Sequence, residues 1–215
     1  MIQIFILGSS SVYGVGSENG GWADLIKQQL HKKMYSKNGI GEKIEIYNFG
    51  KSGATIDFVL ENFPSQLKAY SRNKTTVAIV SVGGNNAKAE NQPENYVSSL
   101  EEYKKQKLKL LQMLKSKCTH VISVGGGFFD ELKTFPKYNP LNGGKSYFSN
   151  ERKQLFEREF ERISQELSIP FISVGVSKKE WLEKYLFDDG LHPNQKGYNL
   201  IAEKVRKVLD EIVFP

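Results

Sequence analysis

The chain has 215 residues, 39% hydrophobic and 25% charged, a balance that suits one globular domain spanning residues 1–215 around a single hydrophobic core. Its one cysteine, Cys118, excludes an intrachain disulfide framework and points to a reducing, cytoplasmic setting, where it is expected as a small buried residue. Thirty Lys+Arg against 24 Asp+Glu leave a formal charge of +6, and apolar runs such as Ile4 to Leu7 fall far short of the ~20 residues of a spanning helix. No basic stretch or small-residue cleavage site accompanies the first apolar run, so no secretory signal is expected.

In chain order, short runs rich in Val, Ile and Phe alternate with longer segments of helical period, the pattern of successive βα units forming a parallel sheet. Strands are predicted over 2–7, 44–48, 76–82, 120–124 and 170–174. Trp22, Ile26 and Leu30 mark one face of a first helix, and Phe58, Leu60, Phe63 and Leu67 a second. Further helices are predicted over 96–114 and 151–167, and a last one carries the stripe Ile201, Val205, Val208 and Ile212, capped by Asn194. Lys104, Lys105, Lys107, Lys109, Lys115 and Lys117 accompany the periodic Leu108, Leu111 and Leu114, so they read as a solvated helix face and no nucleic-acid partner is expected. The stretch 128–150 holds two prolines, two glycines and six aromatic residues. It is long for a connection, and reads either as a lid or pocket wall or as an ordered surface excursion.

Ligands of open parallel sheets bind beyond the carboxyl ends of the strands, which narrows the search for chemistry to the strand exits. There the sequence places Gly8-Ser9-Ser10-Ser11, Gly50-Lys51-Ser52-Gly53, Gly83-Gly84-Asn85-Asn86, Gly125-Gly126-Gly127 and Asp189-Gly190-Leu191-His192-Pro193-Asn194. Acyl transfer to a serine needs a hydroxyl, a base, a group that orients the base, and donors for the oxyanion. All four kinds of group occur at these exits. Gly190 permits a sharp turn and Pro193 favours an extended His192, so Asp189 and the imidazole can meet; equally, Asp189 can cap a turn and leave His192 on the surface.

The order of these blocks resembles the SGNH hydrolases, or GDSL-type esterases and lipases, over residues 4–194. The resemblance implies a three-layer α/β/α, flavodoxin-like fold with a five-stranded parallel sheet in the order 2-1-3-4-5. It also implies hydrolysis of a small acyl ester or thioester through a covalent acyl-enzyme, without metal or organic cofactor. Residue by residue, Ser10 matches the nucleophile, Asp189 the orienting acid, His192 the base, and Gly53 and Asn85 the oxyanion-hole residues, with the Ser10 N–H as a further donor. The chain departs from the family pattern at Ser9 and Asn86, where aspartates are usual, and at Ser11, where an apolar residue is usual. Ser9 and Asn86 are expected to act as neutral hydrogen-bonding supports.

Two other classes compete. A non-catalytic binding protein of the same fold would keep these residues misaligned, and a nucleotide-binding α/β protein would use Gly8, Gly14 and Gly16, which match neither a P-loop nor a G-x-G-x-x-G pattern. His31 and His120 are expected outside the site, and Asp188, Asp189 and His192 lack the further ligands a metal would need. Trp22, Phe128, Phe129, Tyr138, Tyr147 and Phe148 are candidates for a pocket lining, with core packing the stronger expectation for Trp22.

Overall fold

Strand β1 (Ile2–Gly8) carries Ile4, Phe5, Ile6 and Leu7 without a polar interruption, and all four are buried. Successive side chains of a strand point to opposite faces, so such a run needs cover on both sides. In the computed structural model, which describes residues 1–39 and 41–214, both faces are covered. β1 lies between β2 (Ile44–Gly50) and β3 (Thr75–Ser81); β4 (His120–Val124) and β5 (Phe171–Ile172) follow. All pairs are parallel, in the order β2-β1-β3-β4-β5, as expected.

The helices that frame the sheet and its strand exits are α1 (Ser10–Tyr13), α2 (Trp22–Met34), α3 (Ile56–Tyr70), α4 (Gly84–Ala87), α5 (Leu100–Lys117), α6 (Asn150–Glu166) and α7 (Gln195–Ile212). Ile4 and Ile6 pack with α2 and α7 on one face, while Phe5 and Leu7 pack with α3, α5 and α6 on the other. The sheet edge that carries the serine block is therefore fixed between two apolar layers.

Several boundaries differ from the sequence reading. α5 starts at Leu100 rather than at Tyr96, because Ser99 and Glu102 form a capping box that fixes the first turn. The 170–174 strand shrinks to Phe171–Ile172, an edge strand paired only with Ser123 and Val124. In α3 the fully buried positions are Ile56, Val59 and Phe63, with Phe58, Leu60 and Leu67 only partly buried. The 128–150 stretch is an ordered excursion: a helical turn (Glu131–Thr134) and a hairpin (Lys137–Tyr138 with Lys145–Tyr147) that Ala89–Glu90 joins as a third antiparallel strand.

Lys107 is the main correction. It is not on the solvated face of α5 but fully buried, in line with Tyr103, Leu110, Leu111 and Leu114. Its Nζ donates to the Val82 carbonyl at 2.5 Å and lies 3.6 Å from the centre of the Phe160 ring. Burial pulls the ammonium down to about 7. An unfolded lysine keeps its proton up to about pH 10, so above neutrality the unfolded chain binds a proton that the folded chain has lost. This group therefore adds stability as pH rises from about 7 toward 10 and withdraws it as pH falls through that window. Wild type is expected to gain about 1 kcal/mol per pH unit relative to Lys107→Met between about pH 7.5 and 9.5. Urea denaturation at the two ends of the window measures the difference, and parallel behaviour of the two proteins refutes it.

Candidate active site

β1 ends at Gly8, where a Cβ would run into the Ser81 carbonyl of β3 and the Val12 side chain. The missing side chain lets the chain turn from strand into α1 within two residues: Ser9 is extended (φ −104°, ψ −150°) and Ser10 opens the helical turn. Ser10 thus stands at the carboxyl edge of the sheet beside the switch in strand order.

His192 reaches it from the turn before α7. Gly190 adopts φ +75°, and the Asp189 Oδ1 accepts from the backbone N–H of Leu191 (2.9 Å) and of His192 (3.0 Å), closing the turn on its own carboxylate. The other oxygen, Oδ2, lies 2.6 Å from His192 Nδ1, and His192 Nε2 lies 2.8 Å from Ser10 Oγ. Burial alone would favour protonating Asp189, but the imidazole and the two N–H groups outweigh it and hold the carboxyl well below the usual carboxylate range. Behind the ring, Asn194 caps α7 by accepting from Gly197 N–H at 3.0 Å, as its position in the sequence suggested.

The glycine-asparagine block forms α4, entered through Gly83 at φ +127°. Asn85 Nδ2 donates to the Ala54 carbonyl at 3.0 Å, which joins this block to the loop of Gly53. Gly53 adopts φ +79°, with Leu141 of the excursion packed over its Cα. Asn86 is buried and fully engaged: its Oδ1 accepts from Ile56 N–H at 3.1 Å, and its Nδ2 donates to Ser98 Oγ (3.0 Å) and Gln106 Oε1 (3.3 Å). The support expected of Asn86 is present. That expected of Ser9 is not, since Ser9 borders the cleft and its hydroxyl neither caps α1 nor has a hydrogen-bond partner among the described residues.

Ser10, Asn85 and His192 open on a cleft of about 130 Å³. Of the candidate aromatics, Phe129, Phe148 and Trp22 line it, Trp22 being also part of the core as expected. Phe128, Tyr138 and Tyr147 do not: Phe128 packs against the core, Tyr138 is exposed, and Tyr147 stacks edge-on against Phe135. The cleft also contains charges that the sequence reading missed. Lys153 and Glu157 of α6 form an ion pair and grip the Gly126 peptide from both ends. Lys153 Nζ donates to its carbonyl at 2.6 Å, and its N–H donates to the Glu157 carboxylate, whose pKa burial raises. Their signal was the spacing 153, 156, 157, 160 and 163, which puts both charges on the buried stripe. Trp181, in a π-helical turn (Trp181–Tyr185) that the sequence did not suggest, closes the cleft against Gly127.

The remaining histidines lie elsewhere, His31 against Tyr35 in α2 and His120 at the start of β4. Among the described residues, no group of three His, Cys, Asp or Glu side chains is placed to hold a metal ion, and no helix is long and apolar enough to cross a membrane.

The fold and these strand-exit blocks define a three-layer α/β/α architecture of the SGNH-hydrolase type, and comparison with known proteins gives it a family. The sequence model of the GDSL-like lipase/acylhydrolase family matches residues 6–200. The chain belongs to that family of ester hydrolases. It is 25% identical over 179 residues to the isoamyl acetate-hydrolyzing esterase of Saccharomyces cerevisiae, covering 80% of this chain and 72% of that one. A lipase/acylhydrolase from Enterococcus faecalis superposes with a TM-score of 0.71 at 16% identity, over 98% of this chain and 96% of that one. An acetyl xylan esterase variant from Geobacillus stearothermophilus gives 0.66 at 18% identity, over 99% and 94%.

Asn86 links two backbone segments through a buried amide. Replacing it with leucine strands the Ile56 N–H, a loss of about 1–3 kcal/mol. Denaturant melts of Asn86→Leu and wild type measure this, and equal midpoints contradict it.

Proposed function

We propose that residues 1–215 act as a single hydrolase domain that cleaves short-chain acyl esters or thioesters through a covalent acyl-enzyme on Ser10. The observation that carries this reading is the unbroken chain of contacts from Ser10 Oγ through the His192 ring to the Asp189 carboxylate, at 2.8 and 2.6 Å.

In this reading Asp189 keeps the proton of the neutral ring on Nδ1 and leaves Nε2 free as the base. His192 takes the Ser10 proton as Oγ attacks the acyl carbonyl. The oxyanion then accepts from the Ser10 and Gly53 backbone N–H groups and the Asn85 amide. Asn85 keeps a second Nδ2 hydrogen for this after donating one to Ala54. His192 passes its proton to the leaving alkoxide or thiolate; water, deprotonated by the same ring, then releases the acid. The chain itself supplies nucleophile, base and oxyanion donors.

The preference for short acyl groups rests on the cleft. Its volume of about 130 Å³ is below the roughly 300–1,000 Å³ of sites that enclose larger ligands. Aromatic rings and an ion pair line it, and an alkyl chain laid against those charges gains little. Two of the similar proteins carry acetyl esters in their names, isoamyl acetate and acetyl xylan. The single buried cysteine, whose thiol burial pushes up to about 11, fits a reducing compartment such as the cytoplasm.

A series of p-nitrophenyl esters from acetate to octanoate tests both parts. kcat/KM is expected to fall as the chain lengthens, and Ser10→Ala to lose about 10⁴-fold or more on acetate together with labelling by a fluorophosphonate probe. Full activity in Ser10→Ala sinks the nucleophile assignment, and faster turnover of octanoate than acetate sinks the short-chain preference.

A further inference from the structure

The excursion does more than border the cleft. Its first turn and hairpin supply donors to three consecutive carbonyls of the loop that carries the triad acid. Asp130 N–H donates to Gly190 O at 2.9 Å, Lys133 Nζ to Asp188 O at 3.2 Å, and Lys137 Nζ to Asp189 O at 2.6 Å. Gly190 is pressed against Lys133 so closely that a side chain there would collide with it, and Asp130 lies just beyond. Of the three donors only Lys137 also faces the carboxylate: its Nζ lies 3.7 Å from Asp189 Oδ2, the oxygen that holds the His192 ring. Lys137 and Asp189 are 24% and 22% exposed, so water screens this pair only in part.

A cation on that oxygen has a definite effect on the ring. An uncompensated carboxylate stabilises the imidazolium and makes the histidine hold its proton; a neighbouring ammonium offsets part of that field. We propose that Lys137 is a positioning residue of the triad, which fixes the Asp189 peptide and offsets part of the charge of the carboxylate that orients His192. The proposal rests on the triad reading given above.

The other ionisable groups around the acid loop do not duplicate this arrangement. Lys133 is committed to the Asp188 carbonyl, and Asp130 caps the turn by accepting from Leu132 N–H. Glu131 is paired with Lys178 at 3.0 Å. From α7, Tyr198 donates its hydroxyl to the Val15 carbonyl at 2.6 Å, and burial together with the Asp189 charge keeps it protonated. Asp188, next to Asp189 in the chain, is exposed to solvent.

The test is the pH dependence of kcat/KM on p-nitrophenyl acetate for wild type, Lys137→Met and Lys137→Arg, with Ser10→Ala as the blank and thermal melts confirming folding. The acid limb of Lys137→Met is expected to move to higher pH by about half a unit to one unit. Its kcat is expected to fall about tenfold as the acid loop loses its tether. Lys137→Arg keeps the charge and retains the wild-type limb. Lys145→Met, which removes one positive charge from the same hairpin without touching the acid loop, also leaves the limb in place.

A folded, active Lys137→Met with an unmoved limb overturns the proposal, as does a Lys137→Arg limb displaced as far as that of Lys137→Met. Should Lys137→Met not fold, Lys137→Gln is read by the same criteria. Full activity in Ser10→Ala overturns the triad reading and this proposal with it; an inert Ser10→Ala beside an unmoved Lys137→Met limb overturns the proposal alone.

Discussion

Everything at the candidate site depends on β1 being held between β2 and β3 with its two faces buried in separate layers. A one-residue slip would exchange the pair Ile4 and Ile6 with Phe5 and Leu7 and ruin the packing of both layers at once. The strand's exit is therefore fixed, and with it the position at which the chain can turn into α1. Gly8 completes the constraint, because the neighbouring carbonyl of β3 and Val12 already fill the space of a side chain. The hydroxyl of Ser10 is aimed by packing that extends well beyond the site.

Around this fixed point two of the other strand exits are secured by buried charges. Lys107 holds the carbonyl that precedes Gly83, and the Lys153 and Glu157 pair holds Gly126. Glycine-rich exits have little side-chain packing of their own, and each buried charge must be matched by a polar partner. Backbone carbonyls and N–H groups at these exits meet both needs. The arrangement costs desolvation, as the lowered ammonium of Lys107 and the raised carboxyl of Glu157 record, and it returns fixed loops around the cleft.

Much of this could be read from the sequence. The alternation of apolar runs and helical segments located the five strands, because a doubly covered parallel sheet leaves strands such as β1 and β3 apolar throughout. Asp189, Gly190, His192 and Pro193 were legible as a turn because each residue type restricts the backbone in its own way. Lys107 was misread because a lysine among five others looks solvated, although its spacing from Tyr103 and Leu111 marks the buried stripe. The contacts of Lys137 and Leu141 with the acid and oxyanion loops had no local signal, since partners about 50 or more residues away are set by tertiary packing rather than by spacing. Ser9 shows the converse limit: its residue type suggested a hydrogen-bonding support, but the direction of its side chain is fixed by the strand-to-helix turn.

Asn86 stands where the family usually has a carboxylate, and the difference reaches beyond charge. A carboxylate in that position would accept from Ile56 but present no hydrogens to Ser98 and Gln106, and it would change character on gaining a proton. The carboxamide gives and receives at once and has nothing to titrate. The joint between the segments bearing Gly53 and Asn85 is thus built from a group indifferent to acidity, and it keeps one set of bonds in acid and alkali alike.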